Sequence, residues 1–444
     1  MTMMTFPIKN EIEKITYTRK KSKGRKQKLL DEFIPEPVHH ELKDPFCPDC
    51  KHELKEIGQF CTRQELIFIP AQLKRLDHIQ HFYKCEYCSQ AGYSDKIVKA
   101  PVPKPVLNHS LGSASIIAHT IYQKYELKVP AYRQKQDWKK LGLPITRKEI
   151  INWQLKVCDY YLEAIYHQLQ KQLINQPILH ADETPYTVLE SKVSKTYYWT
   201  FLSGKHEEKG ITLYHHGSRK GQEAADFLKG FKGYLHCDQY QGYKQLPDVT
   251  LVGCWAHARR KFSDAAPTRA SEVSLAQTGI IYCDQMFRLE RSWEQLTSDE
   301  RKNRRKAELR PLMDEFFTWC KDNQLKTLPN SKLGIAFAYC LNHEEAFRNV
   351  LKDGNLALSN NLAERSIKSV VMGRKNWLFS QSYEGAKSSA IIMSIIETAK
   401  RHNLNTEKYF NYLLERLPQD ATLTDETILE AYLPWAKEVQ EYCK

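Results

Sequence analysis

Two pairs of cysteines with C-x-x-C spacing constrain this chain more than any other feature. Residues 51–84 separate the pairs, and each pair can offer two thiolates to one ion. Four thiolates fill the tetrahedral shell of Zn²⁺, so the spacing predicts a structural zinc site; a redox function is disfavoured because no thioredoxin-like pattern surrounds either pair. Strand-like segments at 66–69 and 78–84 complete the pattern of a zinc ribbon over residues 46–100. The four cysteines are Cys47, Cys50, Cys85 and Cys88.

The charge balance indicates the kind of partner. The 444 residues include 66 Lys and Arg against 53 Asp and Glu, a net charge of +13, which favours a polyanion such as nucleic acid or an acidic membrane surface. No apolar run reaches the roughly 18–20 residues that span a bilayer, and no signal peptide is visible. We therefore expect a cytoplasmic protein without a membrane segment. An apolar content of 41% supports folded domains rather than general disorder.

The first 45 residues form a basic N-terminal arm. Seven of the ten residues from 19 to 28 are Lys or Arg. Such a run is either a solvated tail or an arm that contacts phosphates, and the sequence leaves both interpretations open.

Residues 106–176 are predicted to be helical. One helix is expected over 131–141 and a second over 145–157, where Thr146 and Glu149 fit a capping box. Arg147 and Lys148 at the start of the second helix could enter a DNA groove in a helix-turn-helix arrangement. An ordinary helical hairpin fits the pattern equally well.

From residue 177 the pattern changes to short strands, which predicts a mixed α/β sheet. A helix is expected from Asn361, followed by a glycine-marked turn and a long helix over 385–402. The segment 256–350 is charged and predicted to be helical, and 417–444 is assigned as a C-terminal tail. Strands are expected at 178–189, 195–202, 211–215, 233–237 and 250–254, with helices at 221–228 and 241–246.

Three acids occupy positions that suggest chemistry. Asp182 and Asp238 each follow an apolar strand, where a carboxylate is costly unless it is paired or binds a cation. Glu364 lies on a predicted helix, and its spacing to Lys368 also fits a surface ion pair. Each acid alone is explained by an ordinary cap, turn or salt bridge. Together, the three could hold two Mg²⁺ ions, which activate a nucleophile and stabilise the leaving oxygen of an in-line displacement.

The ordered motifs of this chain resemble those of insertion sequence 66 family transposases, a group of bacterial DDE transposases. The resemblance covers approximately residues 45–415. The matching stretches are His180-Ala181-Asp182-Glu183-Thr184-Pro185, Gly233-Tyr234-Leu235-His236-Cys237-Asp238-Gln239-Tyr240, Gly253-Cys254-Trp255-Ala256-His257-Ala258-Arg259-Arg260-Lys261-Phe262, Asn360-Asn361-Leu362-Ala363-Glu364-Arg365 and Gly373-Arg374-Lys375-Asn376-Trp377-Leu378-Phe379.

The resemblance implies a ribonuclease H-like catalytic core over 177–416, with 256–350 as a helical insertion. It implies that Asp182, Asp238 and Glu364 bind two Mg²⁺ ions, with Mn²⁺ able to substitute, and that the protein cleaves DNA and transfers the strand into target DNA. The partners implied are transposon ends, target DNA, further copies of the chain and accessory element-encoded proteins. Alternatives are an Mg²⁺-dependent nuclease without strand transfer, a zinc-ribbon DNA-binding regulator, and an inactive truncated copy that only binds DNA.

Residues near these acids are candidates for DNA contact or core support. Cys254 and His257 form a C-x-x-H element that recurs in several DDE families with insertions, and support of the core is the favoured role. The basic candidates for phosphate contact in this region are Arg259, Arg260, Lys261, Arg365, Lys368, Arg374 and Lys375.

Overall fold

The computed structural model describes residues 34–40, 46, 48–53, 55, 59–66, 71–84, 97–267, 273–420 and 422–444. The chain divides into two units, residues 1–75 and 76–444. In the first unit, an antiparallel bridge joins Phe46 to Glu53 around a turn at 48–50 that contains the exposed Cys50. The basic segment 19–28 and the other three ribbon cysteines, Cys47, Cys85 and Cys88, lie outside the described residues.

A short antiparallel hairpin opens the described part of the second unit. Strand β1 (Phe82–Lys84) pairs with β2 (Ile97–Lys99). The strand expected over 78–84 is therefore shorter than predicted, and its partner follows the second cysteine pair. The other strand expected in the ribbon, 66–69, lies almost entirely outside the described residues.

A five-stranded mixed sheet lies at the centre of the second unit and confirms the predicted α/β class. The strand order is β5-β4-β3-β6-β7; β3 pairs antiparallel with β4 and β4 with β5, whereas β3 pairs parallel with β6 and β6 with β7. Short connections give the antiparallel pairs, and a crossover that contains a helix returns the chain parallel to β3. The strands are β3 (Ile178–Tyr186), β4 (Thr196–Ser203), β5 (Thr212–Gly217), β6 (Gly233–Cys237) and β7 (Val249–Gly253).

Four helices precede the sheet, and one lies in its crossover. The predicted capping box is present, since Thr146 accepts from the Glu149 amide and the Glu149 carboxylate accepts from the Thr146 amide. Ile150, Trp153 and Val157 bury one face of this helix. The helices are α1 (Ala114–Ile121), α2 (Ala131–Lys140), α3 (Arg147–Val157), α4 (Glu163–Ile174) and, in the crossover, α5 (Gly221–Phe227).

The segment between β7 and Asn361 is helical, as predicted, and has its own aromatic core. Trp255 is fully buried at the start of this segment, with its ring centroid 4.8 Å from that of Phe347 and 5.4 Å from that of Phe316. These side chains belong to a core cluster separate from the one that covers most of the sheet. The helices are α6 (Trp255–Ala265), α7 (Leu275–Ser292), α8 (Ser298–Arg304), α9 (Arg310–Gln324), α10 (Lys332–Asn342) and α11 (Glu344–Arg348).

Five helices complete the described chain. The turn expected between the helix from Asn361 and the next helix lies at 378–382. Gly373 lies within the first of these helices under the Trp377 ring, and a Cβ built there would be 2.2 Å from the ring. The assigned tail 417–444 is folded, and Leu433 and Val439 are fully buried in the main core cluster. The helices are α12 (Asn361–Trp377), α13 (Tyr383–Arg401), α14 (Thr406–Arg416), α15 (Glu426–Glu430) and α16 (Lys437–Cys443).

Within the described ranges, none of the helices is both long enough and apolar enough to cross a membrane.

Candidate active site

Asp182 and Asp238 occupy equivalent positions on two neighbouring parallel strands. In the register of β3 and β6, His180 lies opposite His236, and each aspartate follows its histidine by two residues. Residues two apart on a strand share a face, so the register directs both carboxylates to the same side. Asp182 lies within β3, opposite Thr200 of β4, whereas Asp238 is the first residue after β6.

Glu364 reaches this region from α12. Ala363, Ile367 and Val370 form a buried apolar stripe on this helix, and the helix packs on β3 and β4. Glu364 lies beside that stripe and is itself half-buried. Packing of the apolar face therefore fixes the side of the helix on which the carboxylate lies.

The three acids influence one another electrostatically. Burial, followed by the charges of Glu183, Asp238 and Glu364, raises the pKa of Asp182 to about 7. Like charges have this effect only when they lie close together. Asp238 and Glu364 therefore lie near enough to Asp182 for their charges to act on it.

A fourth carboxylate, Glu183, was not predicted, and its own charge is compensated. An oxygen of Glu183 lies 3.0 Å from Arg219 Nη2, and the Tyr243 hydroxyl donates to the other oxygen at 3.0 Å. Burial raises the pKa of Glu183, followed by the charge of Asp238. Asp182 has no such cation beside it among the described residues.

The buried Asn360 holds the two sides of the site together. Its Nδ2 donates to the Ala181 carbonyl at 2.7 Å, and its Oδ1 lies 2.9 Å from His180 Nδ1. Because the amide nitrogen already donates, the oxygen must accept, and His180 carries its hydrogen on Nδ1. The Asn360 backbone amide donates to Cys254 Sγ at 3.1 Å. One residue at the start of α12 thus contacts both β3 and the start of α6.

Two buried histidines support the strands beneath the aspartates. The rings of His180 and His236 stack with centroids 4.3 Å apart and planes 11° apart. Burial lowers the pKa of His180 to about 4 and that of His236 well below its ordinary value, so both are neutral at pH 7. The repeated His-x-Asp pattern at 180–182 and 236–238 is the signal that could have identified them.

The C-x-x-H element lies directly against Glu364. Cys254 is fully buried at the N-cap position of α6, and His257 Nε2 is 3.7 Å from Glu364 Oε1. Arg260 Nη2 is 3.6 Å from Glu364 Oε2. The ion pair between Glu364 and Lys368 that the helical spacing allowed is absent from the described contacts, because residues of α6 occupy the surroundings of this carboxylate instead.

A cavity of about 430 Å³ adjoins Glu364 and carries several of the predicted basic residues. Arg365 and Lys368 are exposed there and have no acidic partner in the described part of the chain. Arg259 differs, because its guanidinium makes two contacts with Asp284, at 2.6 and 3.2 Å. The cavity is lined by Ala256, Arg259, Arg260, Ser263, Asn361, Glu364, Arg365 and Lys368.

The remaining basic candidates have other surroundings. Lys261 Nζ lies 4.6 Å from the centre of the Tyr339 ring, and Arg374 donates to the Pro185 carbonyl. Lys375 is exposed near the end of α12. Arg147 and Lys148 are exposed at the start of α3, a helix that packs on α1, α2 and α13 rather than on the catalytic strands.

The three acids carry the kind of ligand atom that a divalent cation takes. Carboxylate oxygens are the ligands that Mg²⁺ prefers, and Glu364 Oε1 is buried without a hydrogen-bond partner in the described residues. Buried polar atoms normally have such partners. The uncompensated charge around Asp182 and this unpartnered oxygen are the features that a bound cation would satisfy.

Three family profiles match the chain. The profile of the transposase IS66 family matches residues 109–388, that of the zinc-finger binding domain of transposase IS66 matches 44–89, and that of the IS66 C-terminal element matches 394–435. The zinc-finger match includes all four ribbon cysteines, which supports a structural zinc ion.

Relatives of this chain occur in Sinorhizobium fredii (strain NBRC 101917 / NGR234). The uncharacterized protein y4jD is 26% identical over 98% of this chain and 87% of its own length, and the uncharacterized protein y4qI is 26% identical over 86% of this chain and 74% of its own length. Since the family profile alone covers more than half of the sequence, the chain belongs to the IS66 family of transposases.

Proposed function

We propose that this protein is a DDE transposase that cleaves DNA at the ends of an insertion sequence and joins the resulting 3′ ends to target DNA. The observation that carries the proposal is the convergence of Asp182, Asp238 and Glu364 from two parallel strands and one helix. The sheet order, with three antiparallel strands followed by two parallel ones, supports a ribonuclease H-like core. The family membership supports DNA as the substrate.

In this proposal Asp182, Asp238 and Glu364 hold divalent ions, Mg²⁺ or Mn²⁺. The chemistry that such ions supply is activation of the attacking oxygen and stabilisation of the leaving oxygen in an in-line displacement. Asn360 maintains the distance between the helix that carries Glu364 and the strand that carries Asp182. His180 and His236 remain neutral, so they add no positive charge that would repel a metal ion.

The basic residues around the site position DNA. Arg365 and Lys368 present free cationic groups along the cavity beside Glu364, and cationic side chains of this kind bind phosphates by releasing counterions. The helices α6 and α12 also carry Arg259, Arg260, Lys261, Arg374 and Lys375. Several of these residues already have partners in the protein. Arg147 and Lys148 on α3 form a separate candidate surface for DNA.

The substitution Asp238→Asn tests the proposal. It removes a negative charge with little change in shape, so DNA binding is expected to remain within about twofold, whereas Mg²⁺-dependent nicking falls by on the order of 10³-fold. Asp226→Asn on α5 is a matched control, and its nicking rate is expected to equal that of the wild type. Full nicking by Asp238→Asn would overturn the assignment of the triad.

Strand transfer needs a separate measurement. A labelled transposon end with a preformed 3′-OH is incubated with plasmid DNA and Mg²⁺, and joined products are separated on a gel. Joined products support a transposase. Nicking without any joined product would identify the protein as an Mg²⁺-dependent nuclease.

A further inference from the structure

A second group of metal-ligating side chains lies next to the carboxylates. One ligand atom each from Cys254, His257 and Glu364 can be chosen so that all three lie within 4.8 Å of one another. Cys254 and His257 come from the first turn of α6, and Glu364 comes from the first turn of α12. This group includes sulfur and nitrogen, so it differs chemically from a set of three carboxylates.

The members of this group do not satisfy one another by hydrogen bonding. The 3.7 Å between His257 Nε2 and Glu364 Oε1 exceeds a normal hydrogen-bond length. Glu364 Oε1, the oxygen that faces His257 Nε2, is buried without a hydrogen-bond partner in the described residues. An unpartnered carboxylate oxygen in such a cluster requires an explanation.

The distances are close to those of ligands that share one ion. Two nitrogen or oxygen ligands on a tetrahedral Zn²⁺ lie about 3.3–3.5 Å apart, given bonds of roughly 2.0–2.2 Å. The observed separation of 3.7 Å between His257 and Glu364 is near this value. The sulfur of Cys254 lies within 4.8 Å of a ligand atom of each of the other two residues.

A purely structural role for Cys254 does not account for these features. Its sulfur accepts the Asn360 amide at 3.1 Å, which explains why a polar atom is tolerated there. That contact leaves the unpartnered oxygen of Glu364 unexplained. Thiolate, imidazole and carboxylate together form a donor set that suits Zn²⁺ and is unsuited to Mg²⁺.

We propose that Cys254, His257 and Glu364 bind a zinc ion, distinct from the zinc of the cysteine-pair region. Three protein ligands leave the fourth position for water or a phosphate oxygen, as in zinc sites with an exchangeable ligand. Glu364 also lines the cavity of about 430 Å³, so a ligand from solvent has a route to this position. With this site, the chain has two zinc sites whose ligands differ chemically.

The direct test is zinc stoichiometry in the full-length protein. Each variant is dialysed against micromolar Zn²⁺ and then against buffer, and metal per chain is measured by mass spectrometry. We expect two zinc ions in the wild type, one in Cys254→Ala and one in His257→Ala. Cys50→Ala is expected to lose the other ion, and Cys340→Ala, which removes a buried thiol of the helical segment, is expected to retain both.

Each result has a clear meaning. If the wild type holds one ion that only Cys50→Ala removes, or if Cys254→Ala and His257→Ala still hold two, the proposal is wrong. If the wild type holds one ion that Cys254→Ala and His257→Ala remove, the proposal stands and the cysteine-pair site fails. His257 is partly exposed, so its variant remains informative if Cys254→Ala does not fold, which circular dichroism shows.

A consequence for activity rests on the proposed function, because Glu364 is shared by the two metal sites. Zinc bound by Cys254 and His257 draws Glu364 away from the ions held by the aspartates, so Zn²⁺ is expected to inhibit Mg²⁺-dependent nicking. Half-inhibition of His257→Ala should require at least about tenfold more Zn²⁺ than the wild type. Equal sensitivity would contradict this coupling while leaving the stoichiometry to decide the site itself.

Discussion

Arg305 in the helical segment and Asp182 in the central sheet are both charged residues removed from water, and their surroundings differ. Arg305 is fully buried, and each of its five N–H groups has an acceptor: the two Glu290 oxygens and the carbonyls of Val350, Asp353 and Leu356. Asp182 lies among other carboxylates, and burial together with these charges raises its pKa to about 7.

The difference separates a charge that stabilises the fold from a charge that needs a ligand. The contacts of Arg305 tie α7 to the segment that leads into α12, and they leave no donor free. The acids around Asp182 repel one another, so their arrangement costs stability unless a cation joins them. A site that folds at such a cost is typical of function rather than of structure.

Replacing Arg305 should produce the largest loss of stability. Arg305→Ala leaves Glu290 and three carbonyl groups without their shared partner, and breaking a buried ion pair on one side costs about 3–5 kcal/mol. The free energy of unfolding is measured by urea denaturation. Arg304→Ala is the matched control, because this neighbour has an exposed side chain paired with Glu308, and its loss should cost less than about 1 kcal/mol. Equal losses of unfolding free energy in the two variants would contradict the conclusion that the buried contacts of Arg305 stabilise the fold.

Replacing Asp182 should increase the free energy of unfolding of the metal-free protein. A pKa raised from 3.8 to about 7 means that the unfolded chain ionises first, so the unfolding free energy of the wild type falls as pH rises from about 4 to 7. Asp182→Asn removes this titration and should be about 1–3 kcal/mol more stable than the wild type at pH 8, with no gain at pH 4.

Magnesium should reverse the order of stability of the wild type and Asp182→Asn. In the wild type, millimolar Mg²⁺ is expected to raise the melting temperature, because a ligand that binds only the folded state stabilises it. Asp182→Asn should respond weakly or not at all. The exposed Asp137→Asn on α2 serves as the control and should behave as the wild type in both experiments. A stable wild type at pH 8 that ignores Mg²⁺ would mean that the acids are not a cation site.

Local patterns in the sequence were sufficient for most of the fold. The strand at 233–237 was predicted with the bounds that the structure shows, and α12 begins at Asn361 as expected. Alternating and helical apolar patterns determine such elements because each element must bury one face. The order of the motifs, through the family resemblance, also identified the acids that the structure brings together.

Contacts between distant segments could not be predicted from these patterns. The spacing of Glu364 and Lys368 suggested a pair along one helix, whereas the actual neighbours, His257 and Arg260, come from α6. Likewise, the three carbonyl acceptors of Arg305 lie 45 or more residues later in the chain at 350–356. Such partners depend on how elements pack, and local periodicity contains no information about that.

Asn360 offers an intermediate test, since it is neutral but satisfies buried groups on both sides of the site. Asn360→Ala leaves the Ala181 carbonyl and His180 Nδ1 without partners, which should cost about 1–3 kcal/mol. It should also lower nicking more than DNA binding, because Glu364 loses its link to β3. Asn361→Ala at the next, exposed position is the stability control, with an expected cost under about 0.5 kcal/mol. Unchanged nicking in a folded Asn360→Ala would show that this link does not position the site.

The smallest effects, on DNA affinity and its salt dependence, are expected for the basic residues that line the cavity. Some of these residues are paired within the protein and others are not. Arg365 and Lys368 have no acidic partner among the residues that the structure describes, so Arg365→Gln and Lys368→Gln should each weaken DNA binding a few-fold and lower the slope of log affinity against log salt by about one. Arg259 is already paired with Asp284, and Arg259→Gln should change the slope by clearly less. Titrations of labelled DNA at several salt concentrations measure all three slopes. If Arg259→Gln lowers the slope as much as the other two substitutions, pairing with Asp284 does not keep Arg259 from binding DNA. A charge that is paired within the protein would then still be available to a ligand at this surface.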